Sequence, residues 1–139
     1  MTKNIVMVDT QTRFVRIANP LIGNMGEGNC TELVIIMTDF LNGNALLEIS
    51  RPDPKDINKN ITQYEQMKNE KNGYSLIIPS SVLQVAGDIR LCLHIYKSSL
   101  FESETFKSSV FEMTVGDTIN AQTDEIQECP YTEVMSWME

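Results

Sequence analysis

Cys92 and His94 are the residues of this 139-residue chain best suited to chemistry, because they lie two positions apart in one apolar segment. A thiol beside an imidazole can act as a nucleophile that a neighbouring base activates. Side chains at i and i+2 of a strand lie about 6.5 Å apart, however, which is farther than an activating hydrogen bond reaches. We therefore expect a buried or half-buried structural thiol at Cys92, a solvated or interface histidine at His94, and no catalytic role for either.

Acidic residues near expected strand ends, or paired in sequence, are a second source of chemistry. They are Asp9, Asp39, Asp53, Asp56, Asp88, Asp124 and Glu125. None matches the Asp-x-Asp-x-Asp-Gly pattern of a calcium loop, and the single histidine excludes a metal site built from several histidines. No acid pair falls on adjacent strand faces, as a glycoside hydrolase would require. We predict no metal, no cofactor and no enzymatic activity.

The charge of the chain is unevenly distributed. The net charge is −8, and residues 117–139 carry six acidic residues without a Lys or Arg, so residues 1–116 carry only −2. Nucleic-acid binding needs a concentrated field of Lys and Arg, which argues against DNA or RNA as a partner. We predict one domain over residues 1–116, followed by an acidic C-terminal tail over residues 117–139.

Cysteine usage and hydropathy restrict the location of the protein. Three cysteines without a close pair fit a reducing compartment better than a disulfide scaffold. No apolar run suits a signal peptide or approaches the eighteen residues of a membrane span. These observations predict synthesis in the cytoplasm and no membrane association.

Two alternating segments would carry Cys92, His94 and the core. Ile89, Leu91, Leu93 and Ile95 share one face of an expected strand over residues 88–96, which leaves His94 on the opposite face. A second alternating strand, residues 106–115, buries Phe111, Met113 and Val115 in the same way. Both patterns are typical of strands that are half buried in an antiparallel sheet.

The remaining strands are predicted from short apolar runs between turn residues. Residues 5–8, 14–17, 31–37 and 45–50 are expected strands, and residues 31–37 are apolar enough to be covered on both faces. The Asn42-Gly43 step predicts a hairpin between the last two. The glycine-rich stretch 19–29 is expected to be a flexible loop.

Residues 51–87 give weaker signals. Pro52 and Pro54 would remove two ladder donors, so residues 51–56 are not expected to continue a central strand. Residues 61–67 fit a short edge strand or a helical turn, and we favour the strand. Residues 80–86 predict a short helical turn, capped by Ser80 or Ser81 and ended by Gly87. Seven or eight strands at this spacing predict an antiparallel β-sandwich.

The acidic tail contains the only tryptophan of the chain. Val134, Trp137 and Met138 would share one face of a helical turn, and Tyr131 precedes them. Large aromatic anchors are typical of interface centres. We identify these four residues as a possible interface, with docking on the tail's own domain and docking on another subunit as alternatives.

The order of apolar and turn residues over positions 30–120 resembles the immunoglobulin-like N-terminal domain of phage baseplate upper proteins and related minor structural proteins of phages of Gram-positive bacteria. Four segments and two flanking pairs carry the resemblance: 33–37, Leu-Glu-Ile-Ser-Arg-Pro-Asp at 47–53, Gly-Tyr-Ser-Leu-Ile-Ile-Pro at 73–79, Val82-Leu83, Ala86-Gly87 and 106–115. Residues 53–72 depart from it as a long insertion. The Cys, Trp, Cys core and Tyr corner of antibody domains are absent, so immunoglobulin-like here means the sandwich architecture only.

The resemblance implies a non-enzymatic phage or prophage tail or baseplate protein, located in the virion and acting through protein–protein interfaces. Its partners would be other tail or baseplate proteins and further copies of itself. A carbohydrate-binding module that recognises host cell-wall glycans is the alternative, with loop aromatics as the sugar platform. The aromatic candidates are Tyr64, Tyr74, Tyr96 and Phe101.

Overall fold

The computed structural model of the protein describes residues 1–98, 100–101 and 103–117, together with the backbone of residues 127–128. Within these residues the chain forms thirteen strands and one 3-10 helix, Ser80–Leu83. The strands are β1 (Thr2–Val8), β2 (Val15–Ile17), β3 (Leu21–Asn24), β4 (Glu27–Gly28), β5 (Thr31–Met37), β6 (Asn44–Asp53), β7 (Asp56–Gln66), β8 (Lys68–Glu70), β9 (Gly73–Ile77), β10 (Gly87–Tyr96), β11 (Glu104–Lys107), β12 (Phe111–Gly116) and β13 (Gln127–Glu128).

Two mixed sheets pack together as a β-sandwich, which confirms the predicted all-β fold. Sheet A has the order β2-β1-β5-β9-β8. Sheet B has the order β3-β12-β10-β6-β7, and β11 pairs with the far end of β10. Most neighbours are antiparallel, as expected, but β1 runs parallel to β5 and β3 runs parallel to β12. An immunoglobulin-like strand order stays a prediction.

The core lies between the inward faces of the two sheets. Leu33 and Ile35 of β5 face it from sheet A, and Leu47 and Ile49 of β6 face it from sheet B; all four are fully buried. Ile89, Leu91, Leu93 and Ile95 of β10 are buried beside them, as the alternation predicted. Burying each such side chain stabilises the folded state by about 1.5–3 kcal/mol relative to leaving it exposed to water.

The predicted hairpin between residues 31–37 and 45–50 is wrong, because β5 lies in sheet A and β6 lies in sheet B. The Asn42-Gly43 step connects the two sheets. A Cβ on Gly43 would lie 2.5 Å from the carbonyl oxygen of Tyr96, so only glycine fits where the chain crosses. The Tyr74 hydroxyl of sheet A donates to the Leu41 carbonyl at 2.6 Å and holds the crossing in place.

The glycine-rich stretch 19–29 is ordered, contrary to prediction. Its residues form β3, which pairs with β12, and β4, which pairs with β13. Ile22 of β3 is fully buried, and the side-chain amide of the buried Asn4 donates to the carbonyls of Asn19 and Leu21 at 2.9 and 2.8 Å. Burial of Ile22 and these two bonds order a segment whose composition is typical of a loop.

β6 continues through Pro52, although the two prolines were expected to end it. The strand pairs with β10 only as far as Ser50, so beyond that point β7 is its single neighbour. A missing N–H is tolerated on a strand side that has no partner. Residues 61–67 largely belong to the strand we favoured, which is part of the much longer β7. The stretch 53–72 is thus mostly sheet.

The helical turn predicted near residues 80–86 is confirmed as a shorter 3-10 helix, but both predicted caps are wrong. Pro79 occupies the N-cap position with no side-chain cap, and Gln84 follows the last turn. Gly87 opens β10 with a φ of +128°, a value that favours glycine.

Candidate functional site

The predicted tail interface of Tyr131, Val134, Trp137 and Met138 lies outside the described residues. The tail backbone is described at β13, where Gln127 and Glu128 run parallel to Glu27 and Gly28 of β4. The division into a domain at 1–116 and a tail at 117–139 stays a prediction. The outer faces of the two sheets are the other candidate binding surfaces.

The outer face of sheet A carries a strip of apolar side chains that we call the apolar face: Ile5, Met7, Val34, Ile36 and Ile77. The register places Ile5 beside Val34 and Met7 beside Ile36 on the neighbouring strands β1 and β5. Ile5, Met7 and Ile77 are 51%, 41% and 45% exposed. We expected β5 to be covered on both faces, but no described element covers this side.

The apolar face is bordered by charge and by a cavity. Lys3 pairs with Glu32 at 3.7 Å at one end. At the other end an open cavity of about 440 Å³ is lined by Met7, Asp9, Thr12, Phe14, Arg16 and Thr38. The backbone N–H groups of Gln11 and Thr12 donate to Asp9, and they hold the pKa of that carboxyl below its usual value. Asp9 therefore fixes the β1–β2 turn that forms the cavity wall.

The outer face of sheet B contains a charged group, the His94 cluster, made of His94, Glu48 and Glu104. The His94 Nε2 lies 2.8 Å from a Glu48 oxygen, and its Nδ1 lies 2.6 Å from a Glu104 oxygen. Ionised carboxylates only accept hydrogen bonds, so both contacts are satisfied when the ring carries a proton on each nitrogen. Each ring nitrogen of His94 thus has one carboxylate partner within hydrogen-bond distance.

The prediction of a solvated or interface His94 is wrong, because its side chain is only 9% exposed. Glu48 projects from β6 and Glu104 from β11, on either side of β10, and Tyr96 stacks on the ring with centroids 6.4 Å apart. Alternation placed His94 on the outer face correctly. It could not show that three neighbouring side chains cover that position.

Cys92 is buried, as predicted, and it does not contact His94 by a hydrogen bond. Its thiol donates to the Ser108 carbonyl at 3.3 Å. Burial raises the pKa of the Cys92 thiol, and Ser108 and Lys107 oppose that rise in part. A nucleophilic cysteine needs the opposite shift, toward the thiolate. The environment suits a structural thiol.

The four aromatic residues considered for sugar binding are in different environments. Tyr74 is fully buried in the core, which removes it from any surface site. Tyr96 contacts Phe101 edge to face at 5.3 Å, and Tyr64 of β7 is 58% exposed. Burial raises the pKa of the Tyr96 hydroxyl, and a hydrogen bond with Glu104 adds to the rise. Tyr64, Tyr96 and Phe101 remain as an aromatic group beside the His94 cluster.

The carboxylates of Asp53, Asp56 and Asp88 stabilise turns or neighbouring strands. Asp53 accepts a hydrogen bond from the backbone of Lys55, Asp56 accepts one from that of Asn58, and Asp88 accepts one from the Thr114 hydroxyl. Over the residues that the structure describes, no group of three His, Cys, Asp or Glu side chains could hold a metal ion. Asp124 and Glu125 lie outside the described residues.

No helix in the described part of the chain is long and apolar enough to cross a membrane. The chain matches no protein-family model, and a search of the curated proteins finds no relative of it. The functional assignment therefore depends on the two outer faces and on the chemistry that each of them presents.

Proposed function

We propose that the protein is a non-enzymatic structural component of a phage or prophage tail or baseplate, which binds neighbouring proteins of that assembly and further copies of itself. The apolar face of sheet A carries the proposal. Ile5 and Met7 of β1 lie directly beside Val34 and Ile36 of β5. Ile77 of β9 lies opposite Glu32 and diagonally from Val34, and no described element covers these apolar side chains. Exposed apolar strips bordered by charge are typical of protein–protein interfaces.

The phage setting comes from the resemblance of residues 30–120 to baseplate domains. A rigid sandwich suits such a role, because many copies in one assembly let individually weak interfaces add. The two groups that could have supported catalysis also have structural interpretations. His94 is enclosed between Glu48 and Glu104, and the Cys92 thiol is buried.

The test replaces the apolar face without disturbing the core. Ile5→Gln combined with Ile77→Gln removes two exposed apolar side chains, and Val110→Gln, at a residue 62% exposed outside this strip, is the matched control. Binding is measured against the tail, baseplate and hub proteins that neighbouring genes encode. We expect the double variant to bind at least about tenfold more weakly, with the control unchanged.

Two outcomes would contradict the proposal. One is a wild-type protein that binds none of those proteins and sediments as a monomer at high concentration. The other is a double variant that binds as well as the wild type, which would remove the apolar face from the interface.

The aromatic group on the outer face of sheet B favours a second candidate function, carbohydrate binding. Tyr64 is exposed, Tyr96 and Phe101 contact each other, and the carboxylates of Glu48 and Glu104 lie nearby as polar partners. Exposed aromatic rings next to polar groups are typical of sugar sites. Binding to a cell-wall glycan array that Tyr64→Ala abolishes would support this function, and silence on the array would remove it.

A further inference from the structure

β7 is the longest strand of the described residues, with eleven residues, and it forms one edge of sheet B. It pairs with β6 on one side only. In the part of the chain that the structure describes, no backbone group of residues 59–66 bonds to anything except β6. Along an antiparallel strand, alternate residues direct their N–H and C=O groups away from the existing partner. β7 thus presents a row of unpaired donors and acceptors.

The other edges of the two sheets are much shorter than β7. β2 and β8 have three residues each and β3 has four. Short edge strands are one way in which proteins avoid pairing with other chains. β7 is also held in place from its inner side, since Gln63 contacts Arg51 and donates to the Ser81 hydroxyl at 3.1 Å. A long and fixed edge is suited to the addition of a strand from another molecule.

We propose that two copies of this chain pair through β7 in an antiparallel arrangement, with Thr62 opposite Thr62 at the twofold axis. Symmetry limits the registers. Residues that face each other across such an axis direct their backbone groups either both outward or both toward β6, so their numbers have the same parity and a constant even sum. If the numbers of two facing residues add up to 120, 122, 124 or 126, the pairing is centred on residue 60, 61, 62 or 63, respectively.

Charge selects among these registers. β7 contains one Lys, at position 59, and one Glu, at position 65. Only the sum of 124 places Lys59 opposite Glu65, and the symmetry does so twice. The neighbouring registers place Lys59 opposite Ile61, Gln63 or Met67. Opposite charges that face each other across paired strands are stabilising, so the strand is complementary to itself in this register.

The same register also matches the uncharged residues. On the other face of the strand Asn60 lies opposite Tyr64, and Thr62 opposite its own copy. Threonine pairs across strands can form hydrogen bonds. The occupant of this edge is therefore a second copy of the chain.

This inference deepens the proposed function by naming one of its interfaces, and it rests on that function only in treating the chain as part of an assembly. It uses β7 alone, which is separate from the apolar face. The two proposals can fail independently, because variants of β7 leave Ile5 and Ile77 unchanged.

The test is a charge swap, followed by sedimentation and native mass spectrometry. Lys59→Glu and Glu65→Lys each place like charges opposite each other twice, so we expect each to weaken dimerisation by about tenfold or more. The double variant K59E/E65K restores both pairs and should dimerise like the wild type. Lys97→Glu makes the same charge change at an exposed position outside β7, and it should leave dimerisation unchanged.

Mixing the two single variants is the sharpest arm of the test. A K59E chain beside an E65K chain has opposite charges at both sites, so the mixture should form heterodimers although neither variant dimerises well alone. A monomeric wild type, or single variants that dimerise as the wild type does, would overturn the proposal. So would a mixture without heterodimers. In each case the proposed function would still stand if the wild type and the β7 variants bind tail proteins and the Ile5/Ile77 double variant does not.

Discussion

The outer faces of sheets A and B reverse the usual relation between polarity and exposure. Sheet A leaves Ile5, Met7 and Ile77 in the open, while sheet B encloses His94 between two carboxylates. Both faces belong to strands with alternating patterns, so alternation does not explain the difference. Neighbouring strands do, because Glu48 and Glu104 project from both sides of β10, whereas the adjacent strands β1 and β5 present apolar side chains to each other.

The outer face of sheet A is therefore a surface available for binding, whereas the outer face of sheet B stabilises the fold. Apolar area that stays in contact with water contributes nothing to the stability of the monomer, but it can contribute to the binding of a partner. A polar ring that is almost fully enclosed must keep its partners, since a buried polar group without a hydrogen bond is costly. We therefore assign the apolar face to association and the His94 cluster to stability.

The largest effect is expected where backbone approaches backbone in sheet A. A Cβ on Gly73 would lie 1.8 Å from the Ile35 carbonyl oxygen, and a rigid strand cannot move aside. We expect Gly73→Ala to lower the free energy of unfolding by about 3 kcal/mol or more, measured by denaturant unfolding.

Gly116 of sheet B is the matched control for Gly73. A Cβ there would lie 2.4 Å from the side-chain oxygen of Asn24, with the Leu21 side chain next nearest. Because side chains can rotate, we expect Gly116→Ala to cost only about 1 kcal/mol. Equal losses for the two variants would show that sheet A can adjust, against the rigid pairing described for β5 and β9.

A smaller effect separates buried from exposed ion pairs within sheet B. Glu48→Ala leaves one ring nitrogen of the enclosed His94 without its partner, and we expect a loss of about 1–3 kcal/mol in the free energy of unfolding. Glu112→Ala removes a carboxylate that meets Arg90 at 3.4 Å, with both side chains more than half exposed. Surface pairs of that kind are worth about 1 kcal/mol or less. If both variants lost the same amount, the His94 cluster would be a surface pair and the contrast between the faces would disappear.

The smallest effect is expected at the turn beside the apolar face. The pKa of Asp9 is lowered by two backbone N–H groups, so its ionised form stabilises the folded state. This stability is present above the unfolded pKa and is lost as the pH falls through the lower folded value. Asp9→Ala should therefore flatten the decline in stability below about pH 4, measured by acid unfolding.

Asp39→Ala is the control for Asp9, because Asp39 is an exposed aspartate of the same end of the sheet whose carboxylate bonds to no described backbone group. The acid limb of its unfolding curve should match that of the wild type. An identical acid limb for Asp9→Ala would show that the turn contributes nothing to the stability of this end of sheet A.

Several features were predictable because they depend on local periodicity. The inward faces of β10 and β12 follow from alternate apolar residues, whose side chains must leave water together, and the strand at β5 follows from its nearly continuous apolar run. The wrong predictions concern features that depend on contacts between distant parts of the chain. Asn42-Gly43 has the sequence of a hairpin turn, but whether it joins two strands of one sheet or crosses between sheets depends on partners far along the chain. β3 and the continuation of β6 through Pro52 depend on distant strands in the same way.

Local sequence patterns predict that the chain folds into strands, which faces of β10 and β12 point inward and where charge concentrates, because these properties follow from neighbours along the chain. The pairing and packing of the strands, by contrast, enclose His94, leave Ile5 and Ile77 exposed on the outer face of sheet A, and place β7 at an edge. Each of these depends on which strands become neighbours in a sheet. That choice is made by contacts between residues dozens of positions apart, and local composition does not encode it.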